Sequence, residues 1–264
     1  MDPHNDILLE TVKVRKQFGG LVAVDDVSLA IHARQLHSII GPNGAGKTTF
    51  FNLLSGTLPP TSGQIYFKGR EITNLPPHRI AHLGIGRSFQ ITKIFPNLTV
   101  LENIRLGAQA MGNDSLKLLS HYQRFDQYID SAMRVIAQVG LQGREGTLAS
   151  ALPHGDKRKL ELGIMLASDP EVLLLDEPTA GMSSEQVPAL LEIIQSIMVG
   201  GEKTIVLVEH RMDMVMSISD QITVMHEGRI LAEGSPTEIA GNTTVQSAYL
   251  GALYGDLLQN EASR

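Results

Sequence analysis

Gly41-Pro42-Asn43-Gly44-Ala45-Gly46-Lys47-Thr48 decides the fold class of this chain, because it meets the pattern G-x-x-x-x-G-K-[ST] at every fixed position. Its context is the one the pattern requires. The run Leu36-His37-Ser38-Ile39-Ile40 comes directly before it and reads as a strand, and Thr48 to Ser55, closed by Gly56, reads as a helix directly after it. Glycines let the backbone turn tightly enough for successive N–H groups to face phosphate oxygens, and the helix N-terminus adds partial positive charge. The backbone from Gly41 through Thr49 is therefore expected to wrap the phosphates of a nucleotide. Lys47 would supply a point charge for the β and γ phosphates, and the Thr48 hydroxyl would ligate magnesium. A Gly-rich turn with an exposed lysine is the competing reading, and the flanking strand and helix weigh against it.

A second landmark lies far downstream. Leu173-Leu174-Leu175-Asp176-Glu177 is an apolar strand ending in adjacent carboxylates, at the carboxyl edge where a parallel sheet presents its ligand. Asp176 is expected to hold the magnesium, and Glu177 to orient or deprotonate the attacking water. Two acids after a strand are by themselves most often a solvated strand end or a helix cap, but the phosphate loop changes that weighting.

Between and around these landmarks the hydrophobic pattern changes period. Ile7–Arg15, Val22–Val24 and Val27–Ile31 are short β-branched runs that suggest an antiparallel lobe, and Gln64–Lys68 returns to strand. From about residue 100 to 165 the period is helical, with Ile129, Ala132, Met133, Ile136 and Val139 or Gly140 at steps of three and four. Val172–Leu175 and Thr204–Val208 then read as buried strands separated by a helix that carries Val187, Leu190, Leu191, Ile194 and Met198 on one face. Gln221–Met225 and Arg229–Glu233 flank a hairpin turn at His226-Glu227-Gly228. The pattern implies an α/β fold: a P-loop NTPase core of the RecA-like kind with an antiparallel β subdomain and a helical insert. It is read as one domain over 1–264, ending in a short C-terminal extension from about 235 to 264.

Composition narrows the function classes. With 42% hydrophobic and 19% charged residues, 264 residues are enough to bury a globular core. Cysteine is absent, which rules out disulfides and thiolate metal sites and fits a reducing compartment. A net charge of -6 gives no basic footprint for nucleic acid. The polar start at Met1–Asp6 lacks the pattern of a secretory signal, and no apolar stretch approaches the ~20 residues that span a bilayer. The expectation is a cytoplasmic protein that meets a membrane only through partners.

The sequence closely resembles the ATPase subunits of ATP-binding-cassette transporters from Leu9 to about Gly251, and three further segments carry the likeness. Gly86-Arg87-Ser88-Phe89-Gln90 looks like the family's glutamine loop, which implies that Gln90 contacts magnesium and the water. Thr204-Ile205-Val206-Leu207-Val208-Glu209-His210 looks like its switch strand, which implies that His210 reaches the γ-phosphate. Leu152-Pro153-His154-Gly155-Asp156 stands where relatives usually carry Leu-Ser-Gly-Gly-Gln, the segment that faces the ATP of the opposite subunit. Here Pro153 removes a hydroxyl and Asp156 adds a negative charge, while Gly155 keeps the close backbone approach and His154 offers a replacement donor. Phe18 matches the aromatic that stacks on adenine. A packed side chain in the β lobe is the other reading of that residue.

Asp176-Glu177-Pro178-Thr179-Ala180-Gly181-Met182, Arg87-Ser88-Phe89-Gln90 and Ala248-Tyr249-Leu250-Gly251 look like the importers of branched-chain amino acids and the similar urea importers. That likeness implies ATP and Mg2+ as ligands and a dimer with a second ATPase subunit. It also implies two integral membrane permeases, an extracytoplasmic solute-binding protein, and a position on the inner face of the membrane. An exporter ATPase and a soluble factor without a membrane partner are the rival readings. The single cassette and acidic balance disfavour the latter.

Overall fold

A computed structural model describes residues 6–88, 94–112 and 122–248. The chain forms two compact units, Met1–Ile80 with Thr204–Arg264, and Ala81–Lys203. The first begins with β1 (Ile7–Phe18), β2 (Leu21–His32), β3 (Leu36–Ile40), α1 (Lys47–Leu54), β4 (Ser62–Phe67) and β5 (Arg70–Glu71). A short helix, α2 (Pro77–His82), leads into the second, which carries β6 (Ile85–Arg87), α3 (Val100–Ala110), α4 (Tyr122–Gln138), α5 (His154–Ala167), β7 (Val172–Asp176) and α6 (Val187–Val199). The chain then returns with β8 (Thr204–Val208), α7 (Met212–Ile218), β9 (Gln221–His226), β10 (Arg229–Gly234) and α8 (Pro236–Gly241).

In the first unit β2, β1, β4 and β5 form the antiparallel lobe. The sequence pattern breaks its second strand at Asp25-Asp26, but β2 runs through both residues. Two features explain the difference. Positive φ at Lys13 (47°) and Asp26 (52°) accompanies register shifts beside Val14, so extra residues are absorbed as bulges. Asp25, moreover, is held by ion pairs to Arg15 and Arg229. Inside the bulge, the Thr11 hydroxyl donates to Val27 O at 3.2 Å and accepts from the Leu29 N–H at 3.0 Å.

In the second unit β6 and β7 are parallel neighbours, and α3, α4 and α5 make up the helical insert. A capping box between Thr99 and Glu102 starts α3. The buried Asn103 side chain pins the preceding loop by donating to the carbonyls of Phe95, Leu98 and Thr99. On α4 the inward face is Ala132, Val135 and Ile136, continued by the buried Val139 just past its end, whereas Met133, assigned inward by the sequence pattern, is 42% exposed. Met133 is one position, about 100°, around the helix from Ala132, which places it on the rim. On α6, Val187, Leu190 and Ile194 are buried as expected, together with Ile193 and Ile197 in place of Leu191 and Met198.

The core of the first unit is built on β3, which runs parallel to β8 on one side and β9 on the other, with β10 antiparallel beyond β9. All five β3 residues are buried. Polar groups within it are paired: His37 Nε2 lies 2.7 Å from Thr223 Oγ1, and Ser38 Oγ lies 2.6 Å from Ser219 Oγ. Burial, assisted by His32, pushes the His37 pKa down to about 4, so the folded protein keeps this ring neutral.

The unfolded chain takes up a proton at His37 near its ordinary pKa of about 6.5, which the folded chain refuses until about pH 4. The full stabilising contribution is thus present above the unfolded value and is lost as pH falls toward the folded one, amounting to about 3 kcal/mol at most. Thermal melting between about pH 8 and pH 4 is expected to show this decline, and His37→Gln to flatten it. An equal decline in the variant would assign it to other groups.

Candidate functional site

The phosphate loop leaves β3 at Gly41 and enters α1 at Lys47, and its shape is set by how closely neighbouring backbone approaches. A Cβ on Gly41 would lie 2.1 Å from Met225 O, and one on Gly46, where φ is +95°, would lie 2.3 Å from Ala23 O. Only glycine fits at either place. Asn43 and Gly44 are exposed at the tip, Pro42, Thr48 and Thr49 are half-buried, and Ala45 is buried. Lys47 is buried too, its Nζ donating to Gly41 O at 2.7 Å and to Pro42 O at 3.0 Å. The loop is therefore curled around its own ammonium group, with the α1 N-terminus, which no side chain caps, beside it. That is a cradle for a polyanion.

The cradle has a rear support. Gly228 N–H, in the β9–β10 turn, donates to Ala45 O at 3.1 Å, and Asp25 N–H donates to Gly228 O at 2.8 Å. The Asp25 carboxylate accepts from Arg15 and, at 2.9 and 2.5 Å, from Arg229. The parallel register sets Ile39 beside Val208, so the strand that leads to His210 ends beside the strand that leads to Gly41. His210 is exposed, and its N–H donates to the buried Glu209 at 3.0 Å. Phe18 closes β1 with 45% of its surface exposed, the Lys16 ammonium lying 5.2 Å from its ring centre.

In the second unit Asp176 ends β7, buried, with Arg87 Nη2 at 3.6 Å from its Oδ2. Its N–H donates to Ser88 Oγ at 3.0 Å. Burial pulls the Arg87 guanidinium below its usual pKa, and the charge and hydrogen bonding of Asp176 oppose that shift. Glu177 is half-buried with φ of 48°, a left-handed conformation that turns the chain sharply off the strand. Ala180 N–H then closes the turn on Glu177 O at 3.0 Å. Gln90 and Phe89, like Tyr249-Leu250-Gly251, lie outside the described residues.

Pro153 is the N-cap of α5, and Leu152 before it is buried. Pro153 and His154 face solvent, whereas Gly155 is buried. The negative charge that Asp156 adds is paired with Arg144 at 3.4 Å and Lys159 at 3.7 Å. Arg158 ties α5 to the turn after Glu177 by donating to Ala180 O at 3.4 Å. Sequence reading passed over Asp25, Glu209 and the pairing of Arg87 with Asp176. Arg87 stands within the quoted motif, but nothing in the string shows which carboxylate it meets.

Among solved structures, a nucleotide-free ATP-binding cassette from an ABC transporter matches with a TM-score of 0.81 at 29% identity, covering 92% of this chain and 98% of that one. The ADP conformation of an ATP-binding cassette of an ABC transporter matches at 0.79 and 27% identity, covering 93% and 99%. Fold and phosphate loop together define an ATP-binding cassette. Residues 24–180 match the ABC transporter family, and residues 229–253 match the family described as branched-chain amino acid ATP-binding cassette transporter. The chain belongs to the ABC transporter family, as an ATPase subunit. It is similar to the high-affinity branched-chain amino acid transport ATP-binding protein LivG of Salmonella typhimurium, at 39% identity over 249 residues, covering 92% of this chain and 98% of the relative. The protein of the same name from Escherichia coli (strain K12) is 38% identical over the same coverage, and BraF of Pseudomonas aeruginosa 37% identical over 92% of this chain and 98% of its own. Among the described residues no helix is long and apolar enough to cross a membrane.

Gly46→Ala is expected to displace the loop from Ala23, abolish measurable ATP binding and destabilise the fold by about 1–3 kcal/mol. Calorimetric titration with ATP and a melting curve check both.

Proposed function

We propose that this chain hydrolyses ATP to power uptake of branched-chain amino acids, or a similar small polar solute, through partner permeases. Its partners would be a second ATPase subunit, two integral membrane permeases and, indirectly, an extracytoplasmic solute-binding protein. It would lie in the cytoplasm, peripheral to the inner face of the membrane. The observation that carries the ATPase reading is the Lys47 ammonium held inside a loop that only glycines at 41 and 46 permit. The relatives' names support the choice of solute.

On this reading the backbone of Gly41 to Thr49 and Lys47 hold the phosphates, and Phe18 stacks on adenine. Glu177 orients or deprotonates the attacking water, His210 reaches the γ-phosphate, and Gln90 contacts magnesium and the water. Leu152–Asp156 faces the ATP of the second subunit. Magnesium would be held by Thr48, Asp176 and Gln90, because hydroxyl, carboxylate and amide oxygens are the hard donors that ion prefers. When bound, the ion would neutralise charge on the phosphates.

Glu177→Gln is expected to lower magnesium-dependent phosphate release about a hundredfold or more while leaving ATP binding intact. Retained activity would remove Glu177 from its role. Pro153→Ser restores the hydroxyl that relatives usually carry at this position and is expected to raise the rate of phosphate release; an unchanged or lower rate counts against the missing hydroxyl as a limit on hydrolysis.

A further inference from the structure

Where β6 ends, two consecutive residues turn onto the end of β7. Ile85, Gly86 and Arg87 lie opposite Val172, Leu173 and Leu174. Ser88 N–H then donates to Leu174 O at 2.9 Å, and the Ser88 hydroxyl accepts the Asp176 N–H at 3.0 Å. Serine thus fixes the backbone of Asp176 while the preceding arginine addresses its carboxylate. The Arg87 and Asp176 side chains are 10% and 0% exposed and 3.6 Å apart. A carboxylate shielded from water to this degree requires compensating positive charge or donors close by, whether or not a metal is bound.

We propose that Arg87 is the internal counter-ion of Asp176, a positioning residue that compensates the carboxylate in the metal-free protein and competes with magnesium for it. Arg87 then sets the affinity of the site for the metal. The metal half of this proposal rests on the reading of Asp176 as a magnesium ligand. A unit positive charge about 4 Å from a ligand oxygen lowers the affinity for a divalent cation bound there by about tenfold even at the dielectric of water, and by more in partly buried surroundings.

Two measurements test this. In a double-mutant cycle on metal-free, nucleotide-free protein, Arg87→Met and Asp176→Asn are each expected to lower the melting temperature, because each leaves the other group buried beside a neutral side chain. The double variant is expected to melt above Arg87→Met alone, and additive effects would overturn the ion pair. In a magnesium titration at a fixed, saturating ATP concentration, read by thermal shift, Arg87→Met is expected to bind the ion at least about tenfold more tightly than the parent. Arg87→Lys, which keeps a point charge and is the milder change should Arg87→Met fold poorly, is expected to stay within about twofold of the parent. Unchanged or weaker magnesium affinity in Arg87→Met would overturn the competition. A parent protein that binds ATP with no response to magnesium would overturn the functional reading and the metal half with it, while the cycle would still decide the ion pair.

Discussion

A lysine ammonium buried in protein must have its charge answered by nearby oxygen, and the answer given to Lys47 organises the first unit. The carbonyls of Gly41 and Pro42 supply it, which forces the loop to bend back over the side chain. That bend presses Gly41 against Met225, so β9 must run beside β3, and it presses Gly46 against Ala23, so β2 must come over the loop. Asp25, shared by Arg15 and Arg229, then fastens β2 to the far hairpin. The antiparallel lobe is in this sense a brace for the loop as well as a separate sheet.

In the altered signature segment the charge that Asp156 adds is taken up by Arg144 and Lys159 at the first turn of α5, a helix terminus that favours an acid. Arg158 fastens the same helix to the turn after Glu177, and His154 packs beside Gly181 in that turn. The segment from Leu152 to Asp156 and the turn after Glu177 are thus one packed assembly.

What could be read in advance follows from how local each signal is. The loop from Gly41 to Thr48, the strand ending in Asp176 and the hairpin at His226-Glu227-Gly228 each depend on residues adjacent in the chain, and each appears where expected. The unbroken course of β2 through Asp25-Asp26 was hidden because the partners of Asp25 come from β1 and β10, the latter 204 residues away. Met133 was misassigned because a helical period fixes which residues share a stripe but not the edge at which the neighbouring helix stops covering it. Arg87 was visible as a letter in a motif, and its contact with Asp176 needed the parallel pairing of β6 with β7.

The backbone at Glu177 carries one more consequence. A left-handed non-glycine residue costs about 1 kcal/mol or more, and glycine there would bear none of it. Glycine at this corner would relieve the backbone only with loss of the carboxylate, so conformational cost and side-chain chemistry are coupled in a single residue.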